Sequence, residues 1–176
     1  MKTIIIFIVI FLASSLAFGQ KTKKDIYKIR ARGYQLLVTY QGKTHTLKTT
    51  SEQIDAAKVT ETNILFANRK DDSTYLVVDV IGQSREKEND RQCGAGAEAN
   101  LIWIKLNAKW QIADIKSERY ESCWSSITST DGYKIAGKTL SIEFDNFRDD
   151  LNIKLIYNAD KPEEGFQLEK KALDNK

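Results

Sequence analysis

Histidine occurs once in the 176 residues, at position 45. A nucleophilic triad would have to gather a nucleophile and an orienting carboxylate around that one base, and the sequence holds no Gly-x-Ser-x-Gly elbow. Opposite Val38 on a threonine-rich strand, His45 reads as an ordinary strand residue. A zinc site needs at least three nitrogen, sulfur or carboxylate ligands. One histidine, two cysteines and scattered acids argue against one, so neither a metal nor a cofactor is expected. An excess of one charge is missing too. Lys and Arg number 27 against 24 Asp and Glu, a balance of +3, and acids and bases alternate along the chain. Such a balance gives no electrostatic ground for a nucleic-acid partner or an anionic membrane. Beyond the first residues there is no long apolar run, no repeat at a fixed period and no dinucleotide-binding fingerprint.

The N-terminus does carry a signal. Lys2 is a short positive region, residues 3–12 are apolar, and Ala17-Phe18-Gly19 offers small residues three and one before a cut. Residues 1–19 therefore read as a secretory signal peptide. Their apolar part is too short to cross roughly 30 Å of hydrocarbon at about 1.5 Å per residue. No cysteine follows that could take a lipid. The expected mature chain, residues 20–176, is soluble, exported (periplasmic or secreted) and without a membrane span after cleavage. Its 157 residues suit one domain with a full core.

Short runs rich in Val, Ile, Thr, Tyr and Phe recur with turn signals between them. That pattern predicts an all-β fold, a single antiparallel sandwich or barrel of about eight or nine strands. Gln41-Gly42 is a two-residue hairpin turn that sets Thr39 opposite Thr44, Val38 opposite His45 and Leu36 opposite Leu47. Thr50 and Gln53 resemble a capping box, which predicts one or two helical turns at most. Residues 74–81 are fit for a central strand.

The cysteines, 93 and 123, bracket a second predicted hairpin. With its turn centred at Ala108, Leu106 faces Trp110, Ile104 faces Ile112 and Cys93 faces Cys123. One Cys93–Cys123 disulfide is expected, as suits an exported chain, with a closed loop contributing roughly 3.6 kcal/mol in the chain-entropy account. Apolar residues on both faces near the hairpin tip imply cover on both sides, with Trp103 and Trp110 in the core.

The remaining motifs weigh toward structure. Asp71-Asp72, Asp149-Asp150, Glu163-Glu164 and Glu118 with Glu121 are paired acids, but adjacency does not set two carboxyls across a cleft. The residues at 145–150 lack the glycine and terminal glutamate of a calcium loop. Gly94-Ala95-Gly96 reads as a tight bend before a strand. What is left is the polar loop 83–92, pinned by the disulfide beside Trp124. Arg85, Lys87, Arg91 and Trp124 are the expected binding residues. The expected function is non-enzymatic binding of an envelope protein or glycan. A carboxylate-based hydrolase of cell-wall or polysaccharide substrates and a carrier of small apolar ligands are the alternatives.

Overall fold

The computed structural model describes residues 27–173 apart from 55, 57, 86–92, 94 and 95; the signal segment, Lys87 and Arg91 lie outside the described residues. Alternation decides the first element group. In β1 (Tyr27–Ala31), β2 (Gln35–Tyr40) and β3 (Lys43–Lys48), every second residue turns inward, and the three form an antiparallel sheet in that order. Leu36, Val38 and Leu47 make its buried face. The register of β2 on β3 is the expected one, with Thr39 opposite Thr44, Val38 opposite His45 and Leu36 opposite Leu47. Gln41 and Gly42 both take positive φ, as the tight turn requires.

The expected helix stops after one turn. The Gln53 side chain accepts from the Thr50 amide at 2.8 Å, and the Gln53 and Ile54 amides donate to the Thr50 carbonyl. Ile54 is then drawn into the core at 2% exposure, and the chain runs into a long strand. Burial of one isoleucine overrides the local capping signal. The described helical segment elsewhere is a single 3₁₀ turn, Pro162–Glu164.

β4 (Lys58–Lys70), β5 (Ser73–Gln83), β6 (Ala97–Leu106) and β7 (Ile112–Ser122) form an antiparallel meander. After it come β8 (Ile127–Thr128), β9 (Lys134–Ala136), β10 (Thr139–Asn146), β11 (Leu151–Asn158) and β12 (Gln167–Ala172). These nine strands make one sheet, ordered β12-β11-β10-β8-β7-β6-β5-β4 with β9 against β10. The fold is thus all-β, with antiparallel sheets of three and nine strands. The twelve described strands exceed the eight or nine expected; two of them, β8 and β9, are only two and three residues long.

The middle of the large sheet is covered twice. Leu76, Val78 and Val80 of β5, with Ile102 and Ile104 of β6, pack with the small sheet. Val77, Leu101 and Trp103, on the opposite face, pack with Leu140, Ile142 and Phe144 of β10 and Leu155 and Tyr157 of β11. Strands far apart in one sheet share that second cluster, so the sheet curls back over itself. Trp103 lies at its centre, 1% exposed, its indole N–H donating to the Pro162 carbonyl at 2.9 Å.

The disulfide forms as expected, Cα to Cα 5.6 Å, yet the hairpin register does not follow the expected one. Leu106 pairs with Ile112 and Ile104 with Ile115, with irregularities at residues 99/100 and 105/106. The cause is Asn107. Its side-chain oxygen accepts from the amides of Lys109 and Gln111, closing a longer loop in which Trp110 takes φ +62°. Trp110 therefore leaves the strand. It is half-buried and stacks on His45, ring centroids 4.1 Å apart, beside Tyr40 and Tyr27. Cys93 precedes β6, in a turn closed by the Gly96 amide on the Cys93 carbonyl. That turn absorbs the slip. Gly96 fits the bend reading, since a Cβ there would meet the Cβ of Cys123 at 2.7 Å.

Candidate functional site

Two of the expected binding residues are brought together at the disulfide end. β5 runs out through Ser84, whose amide donates to the Gly96 carbonyl, and delivers Arg85. β7 ends at Ser122, and Cys123 holds the following turn in place, so that the Trp124 indole N–H donates to the Arg85 carbonyl at 2.8 Å. Trp124 is half-buried.

The Arg85 guanidinium reaches across to Tyr34, donating to its hydroxyl at 3.0 Å. It lies 6.0 Å from the ring centroid, displaced toward the hydroxyl end, so it steadies the ring by that end. Tyr34 was not among the expected residues. It sits at the tip of the β1–β2 turn, where Arg32 and Gln35 exchange both backbone bonds and Gly33 takes φ +56°. Its carbonyl accepts from both the amide and the hydroxyl of Thr49, each at 2.8 Å. A ring 44% exposed is thus held on a fixed backbone.

Two cavities share Gly33 and Tyr34 in their walls. One, of about 530 Å³, has Arg32 and Lys48 in its lining. The other, of about 440 Å³, has Lys58 and Arg85, floored by Ile54 and Ala56. Among the described residues lining either there is no Asp or Glu. The charged residues described in the two linings are thus Arg32, Lys48, Lys58 and Arg85. Arg32, Lys48, Lys58 and Arg85 lie far apart in sequence, and only the docking of the small sheet on β4 and β5 brings them together. The one local clue was an arginine, a glycine and a tyrosine in succession at a turn.

Behind this groove runs a chain of buried polar groups. The Ser84 hydroxyl and Glu98 carboxylate are 2.8 Å apart, Glu98 and Arg119 lie 4.0 Å apart, and Arg119 donates to the Ser125 hydroxyl at 3.2 Å. Glu98 is 2% exposed. Buried ion pairs of this kind are retained for geometry more than for net stability. Here the chain ties β5, β6, β7 and the Trp124 turn to one another.

The acids elsewhere are distributed as structural groups. Asp71, Asp72, Asp149 and Asp150 occupy hairpin turns, and Glu163 and Glu164 the 3₁₀ turn. Asn146 accepts from the amides of Arg148 and Asp149 and donates to Asp149, which organises the 145–150 turn internally. Glu121 accepts from the Ser129 amide. Burial pushes the Glu118 carboxyl above the ordinary range, against the pull of Lys170. Asp79, on the Trp103 side of β5, is 1% exposed and accepts from the Tyr120 hydroxyl at 2.8 Å. Burial raises the Asp79 carboxyl, and burial together with Asp79 raises the Tyr120 hydroxyl. Among the described residues no three His, Cys, Asp or Glu side chains are grouped to hold a metal ion, and no helix is long and apolar enough to cross a membrane. Compared with protein-family models, curated proteins and solved structures, the chain matches none of them.

Proposed function

We propose that the mature chain is an exported, non-enzymatic β domain that binds a protein or glycan, in the cell envelope or outside the cell, through the basic groove around Tyr34. The observation that carries this reading is that Tyr34 lines two cavities whose charged residues, among those described, are cationic, and that Arg85 in the wall of one of them bonds the Tyr34 hydroxyl and accepts from Trp124 at its carbonyl. Aromatic residues and arginine are the side chains that most often anchor interfaces. Their preorganisation by the Thr49 bonds, the Cys93–Cys123 disulfide and the polar chain behind them lowers the entropic cost of association.

Immobilised residues 20–176 should retain a partner from envelope extract or culture medium, identified by protein mass spectrometry and sugar analysis. Tyr34→Ala and Arg85→Glu should each reduce its recovery while leaving the circular dichroism spectrum intact. Undiminished recovery by both variants overturns the reading.

A further inference from the structure

We infer that residues 129–133, between β8 and β9, are a pH-opened strap, latched shut by the Tyr133 hydroxyl on the buried carboxyl of Asp79. The strap stands off its sheet. β10 pairs with β8 at Asp145 and Asn146 and with β9 from Thr139 to Ser141. Between those ladders residues 129–133 oppose 142–144, five against three, so the excess chain has to arch. Beneath the arch lies a cavity of about 230 Å³, walled by Thr130, Asp131 and Gly132 of the strap and by Ser141, Glu143 and Asp145 of β10. The strap belongs to no strand. Its Gly132 amide donates within it to the Ser129 hydroxyl, and Asp131 pairs with the adjoining Lys134. Its described ties to other elements are the Ser129 amide on the Glu121 carboxylate at 3.1 Å, and Tyr133 on Asp79.

The Asp79 end of the latch is what makes it sensitive to protons. Asp79 projects from β5 on the Trp103 face, 1% exposed, beside Leu101 of β6. Its Oδ1 accepts from Tyr120 at 2.8 Å, while Oδ2, among the described residues, meets no hydrogen-bond partner. Tyr120 reaches it because the β6–β7 register slips after Ala99, which leaves Tyr120 as an extra residue on β7. The titratable groups facing this carboxyl are Tyr120 of β7, Glu61 of β4 and Tyr133 of the strap; no cation is among them. An ionised Asp79 under a closed strap therefore keeps one oxygen away from both water and donors, which is costly. Opening the strap hydrates it. Burial, with Glu61 adding to it, holds the carboxyl above its ordinary value, and the bonds from Tyr120 and Tyr133 do not cancel the rise. The closed state thus binds the proton more tightly than the open one. Closure is fully favoured below the ordinary value of 3.8 and is released as pH rises through the raised value.

Hydrogen exchange at the Ser129 and Gly132 amides, corrected for the intrinsic rate at pH 4, 6 and 8, reads the strap directly. Their opening constant should rise about threefold or more across that range. It should do so at a lower free energy than opening of Leu101–Ile104 in β6, which marks the event as local. Asp79→Asn, which cannot ionise, should flatten the profile. Tyr133→Phe keeps the ring and removes the latch, so it should raise opening about threefold or more at every pH; this variant and the wild-type profile decide the matter if Asp79→Asn does not fold. A flat wild-type profile overturns the inference, as does the same rise in Asp79→Asn. Wild-type opening in Tyr133→Phe, or strap amides that open only together with Leu101–Ile104, overturns it equally.

Discussion

Asp79 spends its charge in an expensive place. At 1% exposure, accepting from the Tyr120 hydroxyl at 2.8 Å, its carboxyl is held above the ordinary value of 3.8, by burial first and with Glu61 adding to the rise, against the lowering pull of its bonds from Tyr120 and Tyr133. A carboxyl whose folded pKa exceeds its unfolded one binds its proton more tightly in the native state. Stability is therefore greatest below the unfolded value and falls as pH rises from about 3.8 through the raised value. Asp79→Asn keeps an acceptor for the Tyr120 hydroxyl and removes the ionisation. Thermal midpoints measured from pH 4 to pH 8 should decline in the wild type across that window and decline less in the variant. Parallel curves would mean that Asp79 does not carry the slope. Gly96 is the matching steric case. Gly96→Ala places a methyl 2.7 Å from the Cβ of Cys123 and 3.0 Å from the Ser84 hydroxyl. Backbone and disulfide leave little room to give, so a loss of about 1–3 kcal/mol in denaturant unfolding is expected.

Two hairpins show what a sequence discloses at the level of elements. The β2–β3 register was readable because its turn chemistry is local: two residues, both at positive φ, with alternation on either side. The β6–β7 register was not, because the deciding group is the Asn107 side chain. It bonds two amides further on and displaces the turn centre from Ala108. Hydrophobic pairing alone could not weigh that. The disulfide was identified correctly although the strand pairing invoked for it was not, since both cysteines lie outside the paired segments and a short turn makes up the difference. Asn107→Ala, losing three side-chain hydrogen bonds, should cost about 1–3 kcal/mol and shift Trp110 fluorescence as its stack on His45 loosens. A cost near zero would remove Asn107 as the determinant of the loop. Breaking the Cys93–Cys123 bridge with the Cys93→Ala/Cys123→Ala pair should remove up to about 3.6 kcal/mol. It should also weaken ligand binding, because the Trp124 turn that meets the Arg85 carbonyl loses its anchor. Equal affinity in the bridged and unbridged proteins would separate the staple from the groove.

Across the whole molecule, the near-neutral balance of +3 conceals a groove with four cations in its walls, because assembly sorts charges that the chain interleaves. The same assembly grades stability. β6 is buried on both faces, against the small sheet and against β10 and β11. β12 is exposed along its whole length and, among the described strands, pairs with β11 alone. The small sheet has its own ladder and is joined to the large sheet by packed side chains, through Leu36, Val38 and Leu47. Amides open with free energies that follow such differences in packing. Native-state hydrogen exchange should show Leu101, Ile102, Trp103 and Ile104 exchanging only through global unfolding, with free energies equal to that from denaturant. β12 should exchange by local fraying, and β1–β3 at an intermediate level, as a unit that undocks before the large sheet opens. Ligand in the Tyr34 groove, which contacts the small sheet through Arg32 and Lys48 and the large one through Lys58 and Arg85, would raise the intermediate level toward the global one, since a ligand bound across two layers stabilises their docking by its own binding energy. Protection of β1–β3 equal to that of β6 without ligand would show that the two sheets unfold as one, and that the groove is set by a rigid seam and not by a docking equilibrium.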